Sequence, residues 1–390
     1  MEKAKNTRLA IVVSHPIQYY SPVFQLLHQR GLLTIKVFYT WGESSVHKFD
    51  PGFNKKIEWD IPLLDGYPYE WVVNTSKDPG THHFNGIVNP GLITQLKAWQ
   101  PGALLIYGWG YNSHLKVIRY FKNKIPIFFR GDSTLLDEKK GYKTILKTLF
   151  LKWLYRHVDH AFYVGTNNKA YYKAYGLKED QLTFAPHAID NKRFSVDNAE
   201  GVLTLRRELG IAADNLIILF AGKLEEKKDP ALLLDAFINL NKAGLHLLFV
   251  GNGPLEQQLK AKAERNDNVH FIDFSNQSQM PAVYQACDLF CLPSKGPGET
   301  WGLAINEAMA SGRAIIVSDK TGAAIDLVET GQNGVIFKAD SLADLTGKLD
   351  KVTGAGKKGL AEMGKISKKM IEKWSFENQV RAIEAIIRNE

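Results

Sequence analysis

Two glutamates eight positions apart, Glu299 and Glu307, lie in the run PSKGPGETWGLAINEAMASGRAIIVSD. Pro293 to Gly298 reads as loop, and Gly302 to Ala310 as a helix with Gly312 as its stop. On one helix, residues eight apart would be about 80° out of phase. With one glutamate in the loop and the other in the second turn, the pair instead addresses two ends of one extended ligand. The first-turn N–H groups then face its middle, and with the helix dipole they favour an anion such as a diphosphate. The pattern reads as a glutamate for a sugar, amides for phosphates and a glutamate for a ribose. The alternative is a pair of solvated helix-end charges, which the dipole also favours.

Upstream, LIILFAGKLEEKKDPALLLDAF reads as a buried strand (216 to 220), a short loop and a helix. Lys223 stands at the carboxyl end of that strand and Lys228 five residues on. In open α/β sheets, ligands bind outside the carboxyl ends of strands. Two ammonium groups there can oppose a departing diphosphate, each as a point charge. The same lysines belong to a mixed-charge run with Glu225, Glu226 and Lys227, which also fits a solvated loop. No DxD-like acidic pair stands nearby, so the phosphate site is expected to need no metal ion.

These residues must be held by a scaffold, and the apolar runs describe it. Strand-like runs fall at 9–13, 34–39, 103–107, 125–129 and 160–164, then at 216–220, 246–250, 269–272, 289–292, 314–317 and 334–337. Helical patterns separate them, which predicts doubly wound parallel sheets of the α/β class. A chain of 390 residues is more than one core usually supports, so two Rossmann-like domains are expected. Apolar periodicity lapses between Asp190 and Glu200, which puts the first domain at 1–195 and the second at 196–371. The tail from Lys365 reads as helical, broken around Trp374-Ser375-Phe376.

The pieces GKLEEKKDPALLLDAF, LLFVGNGPLEQQL, PAVYQACDLFCLPS, GETWGLAINEAMASGRAIIVSD and ETGQNGVIF stand in an order that resembles retaining glycosyltransferases of the GT-B fold, glycosyltransferase family 4. The likeness covers roughly 214 to 340 and is looser in the first half, at SHPIQYYSPVFQLL and FAPHAIDNKRF. It implies two domains facing across a cleft, with a last helix (372–390) returning to the first. It implies that Lys223 and Lys228 hold the donor diphosphate, although the family often has Arg at the first position. Glu299 would stand near the donor sugar, and Glu307 would bind the ribose hydroxyls. The amides of Thr300, Trp301 and Gly302 would touch sugar and phosphates. Gly222 and the turn Gly251-Asn252-Gly253 would lie beside the nucleotide, and Ile272 to Phe274 would form the base pocket. The glycines of that turn equally suit a tight strand-to-helix connection. No cofactor is implied beyond the donor itself, with UDP- or GDP-linked sugars favoured.

The acceptor side follows three other predicted strands. After the first comes Ser14-His15-Pro16-Ile17-Gln18-Tyr19-Tyr20, without the glycines that the family often has there. His15 is a candidate for substrate contact, with a cap or core hydrogen bond as the alternative. Tyr107-Gly108-Trp109-Gly110-Tyr111 offers aromatic faces for a sugar, or for packing. Phe129-Arg130-Gly131-Asp132-Ser133 carries Arg130 and Asp132 where many family members have a histidine. Asp132 is the candidate acceptor base. His187 is expected to order the turn near the domain join.

Charge divides unevenly: residues 1–195 carry a net +11 and the remainder −3. The first domain is therefore expected to face something anionic. A basic stretch, 137 to 157, combines Lys139, Lys140, Lys143, Lys147, Lys152 and Arg156 with Leu149, Phe150, Trp153 and Leu154. It suits a lipid interface, but the favoured reading is a domain helix that buries its apolar side on its own sheet. No nucleic-acid reader motif accompanies the basic charge. No apolar run approaches 18 residues, so no membrane span is expected. Cys287 and Cys291, the only cysteines, suggest neither a disulfide framework nor a metal site, and a reducing cytoplasm suits them.

The expected function is metal-independent, retaining transfer of a sugar from a nucleotide diphosphate to a saccharide or lipid-linked acceptor. The setting would be the cytoplasm or the inner face of the cell membrane, in surface polysaccharide or glycolipid assembly. A nucleotide-sugar epimerase and a binding protein without turnover remain as alternatives. A dinucleotide oxidoreductase is disfavoured, because no G-x-G-x-x-G follows the first strand.

Overall fold

A computed structural model describes residues 7–47, 49–50, 55–56, 58–139 and 141–389. The chain divides into two compact units, one of Met1–Lys48, Ile61–His187 and Phe376–Glu390, the other of Phe49–Asp60 and Ala188–Ser375.

The strands in chain order are β1 (Arg8–Val13), β2 (Thr34–Tyr39), β3 (Phe49–Asp50), β4 (Lys55–Lys56), β5 (Tyr69–Trp71), β6 (Ala103–Tyr107), β7 (Ile127–Arg130), β8 (His160–Tyr163) and β9 (Leu182–Phe184). The first unit's sheet has the order β5-β2-β1-β6-β7-β8-β9, and its pairings are parallel. β3 and β4 form a separate antiparallel ribbon. In β1, Leu9, Ile11 and Val13 enter one core cluster while Ala10 and Val12 enter another. Successive side chains of a strand point to opposite faces, so a sheet covered on both faces reads as an unbroken apolar run.

The second unit continues with β10 (Leu216–Ala221), β11 (Leu245–Val250), β12 (Val269–Ile272), β13 (Leu289–Leu292), β14 (Ala314–Ser318) and β15 (Gly334–Phe337). Their order is β12-β11-β10-β13-β14-β15, again parallel. Both sheets thus reverse direction of growth next to their first strand. That reversal is the topological switch point, where a crevice opens at the carboxyl ends of β1 and β6 in one unit and of β10 and β13 in the other.

The core strands lie where the apolar runs put them, whereas β5 and β9 were not expected. Both are three-residue edge strands, too short to show a period. The last helix, Phe376–Asn389, packs on the first unit. Val380, Ile383 and Ile387 enter its core, and Glu384 accepts both hydrogen bonds from Arg30 Nε (3.0 and 2.9 Å). Glu390 lies outside the described residues.

Three boundaries differ from expectation, the smallest difference being in the tail, which joins the first unit from Phe376 rather than from 372. The second unit begins at Ala188, because Asn191–Ser195 is a helix of that unit. Phe194 there packs against Tyr284, and Gln285 Nε2 donates to Phe194 O (3.0 Å) and Val196 O (2.7 Å). Phe49–Asp60, placed by the sequence in the first domain, also groups with the second unit. The Asp60 carboxylate accepts from Ser278 N (3.0 Å), Asn276 Nδ2 donates to Glu58 O (2.6 Å), and Trp59 lies edge-on to Phe274.

The basic stretch forms the helix Tyr142–Tyr155, but it does not bury its whole apolar side. Leu151, Leu154 and Tyr155 are in the core, while Tyr142, Ile145, Leu146 and Leu149 are 62–70% exposed. Lys143, Lys147, Lys152 and Arg156 are exposed around them; Lys140 lies outside the described residues. Among the described residues no helix is long and apolar enough to cross a membrane.

Candidate active site

In the second unit the site residues gather at the β10–β13 switch point. β10 ends in Ala221, and Gly222 turns the chain with φ +146°. Gly222 also leaves room for the Lys228 stem, whose Cδ would stand 3.5 Å from a Cβ placed there. Lys228 ends a short helical turn, Glu226–Lys228. Its Nζ lies 2.6 Å from Glu299 Oε2, and both side chains are mostly covered, at 16% and 9% exposure. Ser294 Oγ donates to the same carboxylate oxygen at 3.1 Å. Lys223 is half-buried in the loop that follows β10.

The helix Leu303–Ala310 starts at Gly302, whose φ of +97° suits glycine. Glu307 in its second turn is 4% exposed, and Tyr284 Oη donates to Glu307 Oε2 at 2.8 Å. Neither glutamate is therefore a solvated helix-end charge. The intervening Thr300 and Trp301 are fixed from behind. Trp301 is buried, with its indole N–H donating to Asn306 Oδ1 (2.9 Å). Gly322 N and Ala323 N donate to Glu299 O and Trp301 O, each at 3.0 Å. A Cβ on Gly322 would lie 1.7 Å from Thr300 O, so only glycine permits this approach.

The turn after β11 abuts the loop that follows β10. A Cβ on Gly251 (φ +131°) would meet Gly222 O at 2.2 Å, and one on Gly253 would meet Leu224 O at 2.4 Å. Backbone packing accounts for both glycines. Asn252 does more, since its amide donates to Asp273 Oδ1 (2.9 Å) and Glu256 Oε2 (3.0 Å) and its Oδ1 accepts from Phe274 N (2.9 Å). Gly251 N donates to Ile272 O (2.9 Å). Residues 222, 251–253 and 272–274 thus form one hydrogen-bonded rim.

Three residues of this site were not legible in advance. Tyr284 comes from the helix Met280–Ala286, 23 positions before the glutamate it orients. Ser294 acts on Glu299 from within the same loop, five positions before it, and Gly322 acts on that loop across a gap that only the fold closes. A Ser two residues past a predicted strand was the one available signal, and it covers Ser294 alone.

The first unit carries a cavity of about 590 Å³ at its own switch point. His15 follows β1, Trp109 and Tyr111 follow β6, and Asp132 follows β7; all line this cavity. The structure therefore unites three segments that the sequence offered separately. His15 Nδ1 lies 2.9 Å from Ser14 Oγ, and its ring meets Trp41 edge-on. Arg130 also borders the cavity but is 2% exposed, and its guanidinium donates to Ala185 O (2.8 Å) and Pro186 O (3.0 Å). It clamps the chain at the end of the first unit. His187 is buried and stacks on Tyr20; burial and the Arg130 charge depress its pKa to about 3. Thr81 to Phe84, which follow no predicted strand and carry no motif, complete the wall.

Cys287 and Cys291 are both free and buried, and burial pushes both thiols up, away from thiolate reactivity.

Residues 202–370 match the family of glycosyl transferases group 1. This segment is a group 1 glycosyltransferase domain. Among curated proteins, the chain is 27% identical over 216 residues to D-inositol 3-phosphate glycosyltransferase of Stackebrandtia nassauensis, covering 52% of this chain and 47% of that protein. Mannosylfructose-phosphate synthase of Agrobacterium fabrum is 31% identical over 157 residues, covering 37% of this chain and 34% of that one. The chain thus matches about half the length of its first curated relatives, or less. In fold, it resembles Anabaena HepE, solved in complex with UDP and glucose. The TM-score is 0.73 at 16% identity, over 98% of this chain and 100% of that one. The two-unit Rossmann-like architecture is the GT-B fold. The group 1 domain contains every residue assembled above at the β10–β13 switch point, while the cavity of the first unit lies outside the matched segment.

Proposed function

We propose that the protein is a retaining glycosyltransferase that moves a sugar from a nucleotide diphosphate to an acceptor hydroxyl. The observation that carries this reading is the Lys228–Glu299 pair at the start of the helix that holds the buried Glu307, inside a group 1 domain. Lys223 and Lys228 would oppose the departing diphosphate, helped by the amides of Thr300 to Gly302 and the helix dipole. Glu299 would stand by the sugar and Glu307 by the ribose, with Gly222 and the rim of 251–253 and 272–274 against the nucleotide. The lysines make a bridging metal unnecessary at the phosphates. A leaving-group oxygen would take the acceptor proton on the same face, or Asp132 would serve as its base, with His15 as a further polar contact. The UDP complexes of the Anabaena relative favour UDP as the carrier. A screen of UDP-, GDP- and ADP-sugars by thermal shift tests the donor: one nucleotide should stabilise the protein and Glu307→Ala should abolish the shift. Equal shifts in both proteins would refute the assignment.

The acceptor, in this reading, reaches the cavity from an anionic lipid surface, as in surface glycolipid or polysaccharide assembly at the inner face of the membrane. The helix Tyr142–Tyr155 supports it, with an exposed apolar row flanked by lysines. Phe150 of that helix packs 5.3 Å from Trp109 of the cavity wall. Flotation with phosphatidylglycerol vesicles should recover the protein, and Ile145→Glu with Leu149→Glu should release it. Flotation unaffected by the double substitution would remove the membrane from the proposal.

A further inference from the structure

We propose that Asp78, His82 and His83 form a divalent-metal site, suited to Zn(II), in the wall of the first unit's cavity. The three residues lie in a stretch without regular strands, which its own polar groups fold. Asn74 Nδ2 donates to Gly86 O (2.9 Å), Gly80 N donates to Gly86 O (3.1 Å), and Ser76 Oγ donates to Asn85 O (2.7 Å). Asp78 N donates to Ser76 Oγ at 3.2 Å. Of the two glycines here, Gly86 is sterically required, because it faces backbone, whereas Gly80 faces only the His82 ring. A Cβ on Gly80 would stand 2.5 Å from His82 Nδ1, and one on Gly86 would stand 2.1 Å from Gly80 O. The loop is thus a built element that delivers two imidazoles and a carboxylate to one point.

The spacing fits a tetrahedral ion. His82 Nε2 lies 3.2 Å and His83 Nε2 3.3 Å from the same oxygen, Asp78 Oδ2, and the ligand atoms of the cluster all fall within 4.8 Å of one another. Ligands about 2.0–2.1 Å from zinc in tetrahedral geometry are about 3.3–3.4 Å apart. The two carboxylate–imidazole separations thus already match, and the imidazole–imidazole separation is within 4.8 Å. His83 Nε2 is also 3.0 Å from the Asp78 carbonyl oxygen, a hydrogen bond that metal binding would replace. Two imidazoles and one carboxylate suit zinc or its neighbours rather than magnesium or calcium. Three protein ligands leave a fourth position for water or substrate, as in catalytic rather than structural zinc sites. His82 and His83 line the cavity that also holds His15 and Asp132, so an oxygen of a bound molecule can take that position. The site lies in the first unit and involves none of the residues assigned to the donor diphosphate.

The test is metal binding to the full chain, purified without a polyhistidine tag and stripped with chelator. Cobalt(II) titration should saturate at one ion per chain with the intense visible absorption of tetrahedral coordination, and zinc should displace it. His82→Ala and Asp78→Asn should each weaken binding by more than about tenfold, whereas His28→Ala, at an exposed helix end, should leave it unchanged. The absence of saturable binding, or equal binding by a His82→Ala/His83→Ala double variant, would overturn the site. The readout is independent of transfer activity, so its failure would not touch the proposed function.

Discussion

Replacing Lys228 with Met separates the structural from the catalytic meaning of the Lys228–Glu299 pair. The substitution keeps the stem that packs at Gly222 and deletes the charge. At 2.6 Å, opposite charges attract by about 6 kcal/mol at an effective dielectric of about 20. Desolvation offsets much of that, but removing one partner strands the other, which costs about 3–5 kcal/mol for a buried pair. Glu299 keeps the Ser294 hydroxyl, and some water reaches the pair, so we expect the lower end, about 3 kcal/mol. In a unit of roughly 200 residues each kcal/mol moves the transition by about 2–4 °C, which predicts a fall of about 6–12 °C for the second unit by calorimetry. Adding Glu299→Gln removes the stranded charge and should restore most of that loss while leaving sugar transfer at background. A Lys228→Met protein within about 1 °C of the parent would refute the ion-pair reasoning. So would a double variant no more stable than the single one.

Three further outcomes are expected. Tyr284→Phe keeps the ring packing against Phe194 and Phe290 but takes a hydrogen bond from the buried Glu307, so UDP or GDP affinity by calorimetry should fall about tenfold. Gly322→Ala drives a Cβ into Thr300 O, and the resulting overpacking should cost about 1–3 kcal/mol and weaken the same nucleotide, measured by thermal shift with and without ligand. His114 is buried between Thr40 Oγ1 (2.9 Å) and Gly108 O (3.0 Å), and burial lowers its pKa to about 4. A histidine so depressed is neutral when folded and protonates when unfolded, so its contribution is complete above about pH 6.5 and is lost toward pH 4 at about 1.4 kcal/mol per unit. His187 acts in the same direction. Circular dichroism melts between pH 7 and 5 should show the first unit weakening, and His114→Asn should flatten that slope.

The fold was legible where burial imposed a pattern. β1 and β10 are covered on both faces, which leaves no polar residue to interrupt the run. β5, β9 and the described part of Phe49–Asp60 carry no such run. The last of these is held by Asp60 and Asn276 side chains, whose pairing across more than 200 positions leaves no local trace. The helix Tyr142–Tyr155 shows a different failure. It has more apolar residues than one buried face needs, with Leu151, Leu154 and Tyr155 inside and Tyr142, Ile145, Leu146 and Leu149 outside. Periodicity alone does not separate a wide buried stripe from a buried face plus an exposed one.

The two switch points differ in what they demand of sequence, and this explains why one was readable and the other was not. Binding a diphosphate at a strand end requires backbone to approach closely, which only glycine allows, and charges at fixed offsets from a helix start. Gly222 and Lys228 fall in one short run after β10, and Glu299, Gly302 and Glu307 in another after β13, so each half shows as a compact motif. Binding a saccharide asks only for aromatic faces and hydrogen-bonding side chains, which many residues supply in any order. His15, Trp109 and Asp132 were visible because each follows a strand end. Thr81 to Phe84 follow none, and reach the same cavity because Asn74, Ser76 and Gly86 fold the intervening chain onto itself. The wall of the first unit's cavity therefore includes a loop whose shape is set by hydrogen bonds rather than by periodicity, and the metal site proposed on its two histidines has no counterpart among the described residues at the β10–β13 switch point.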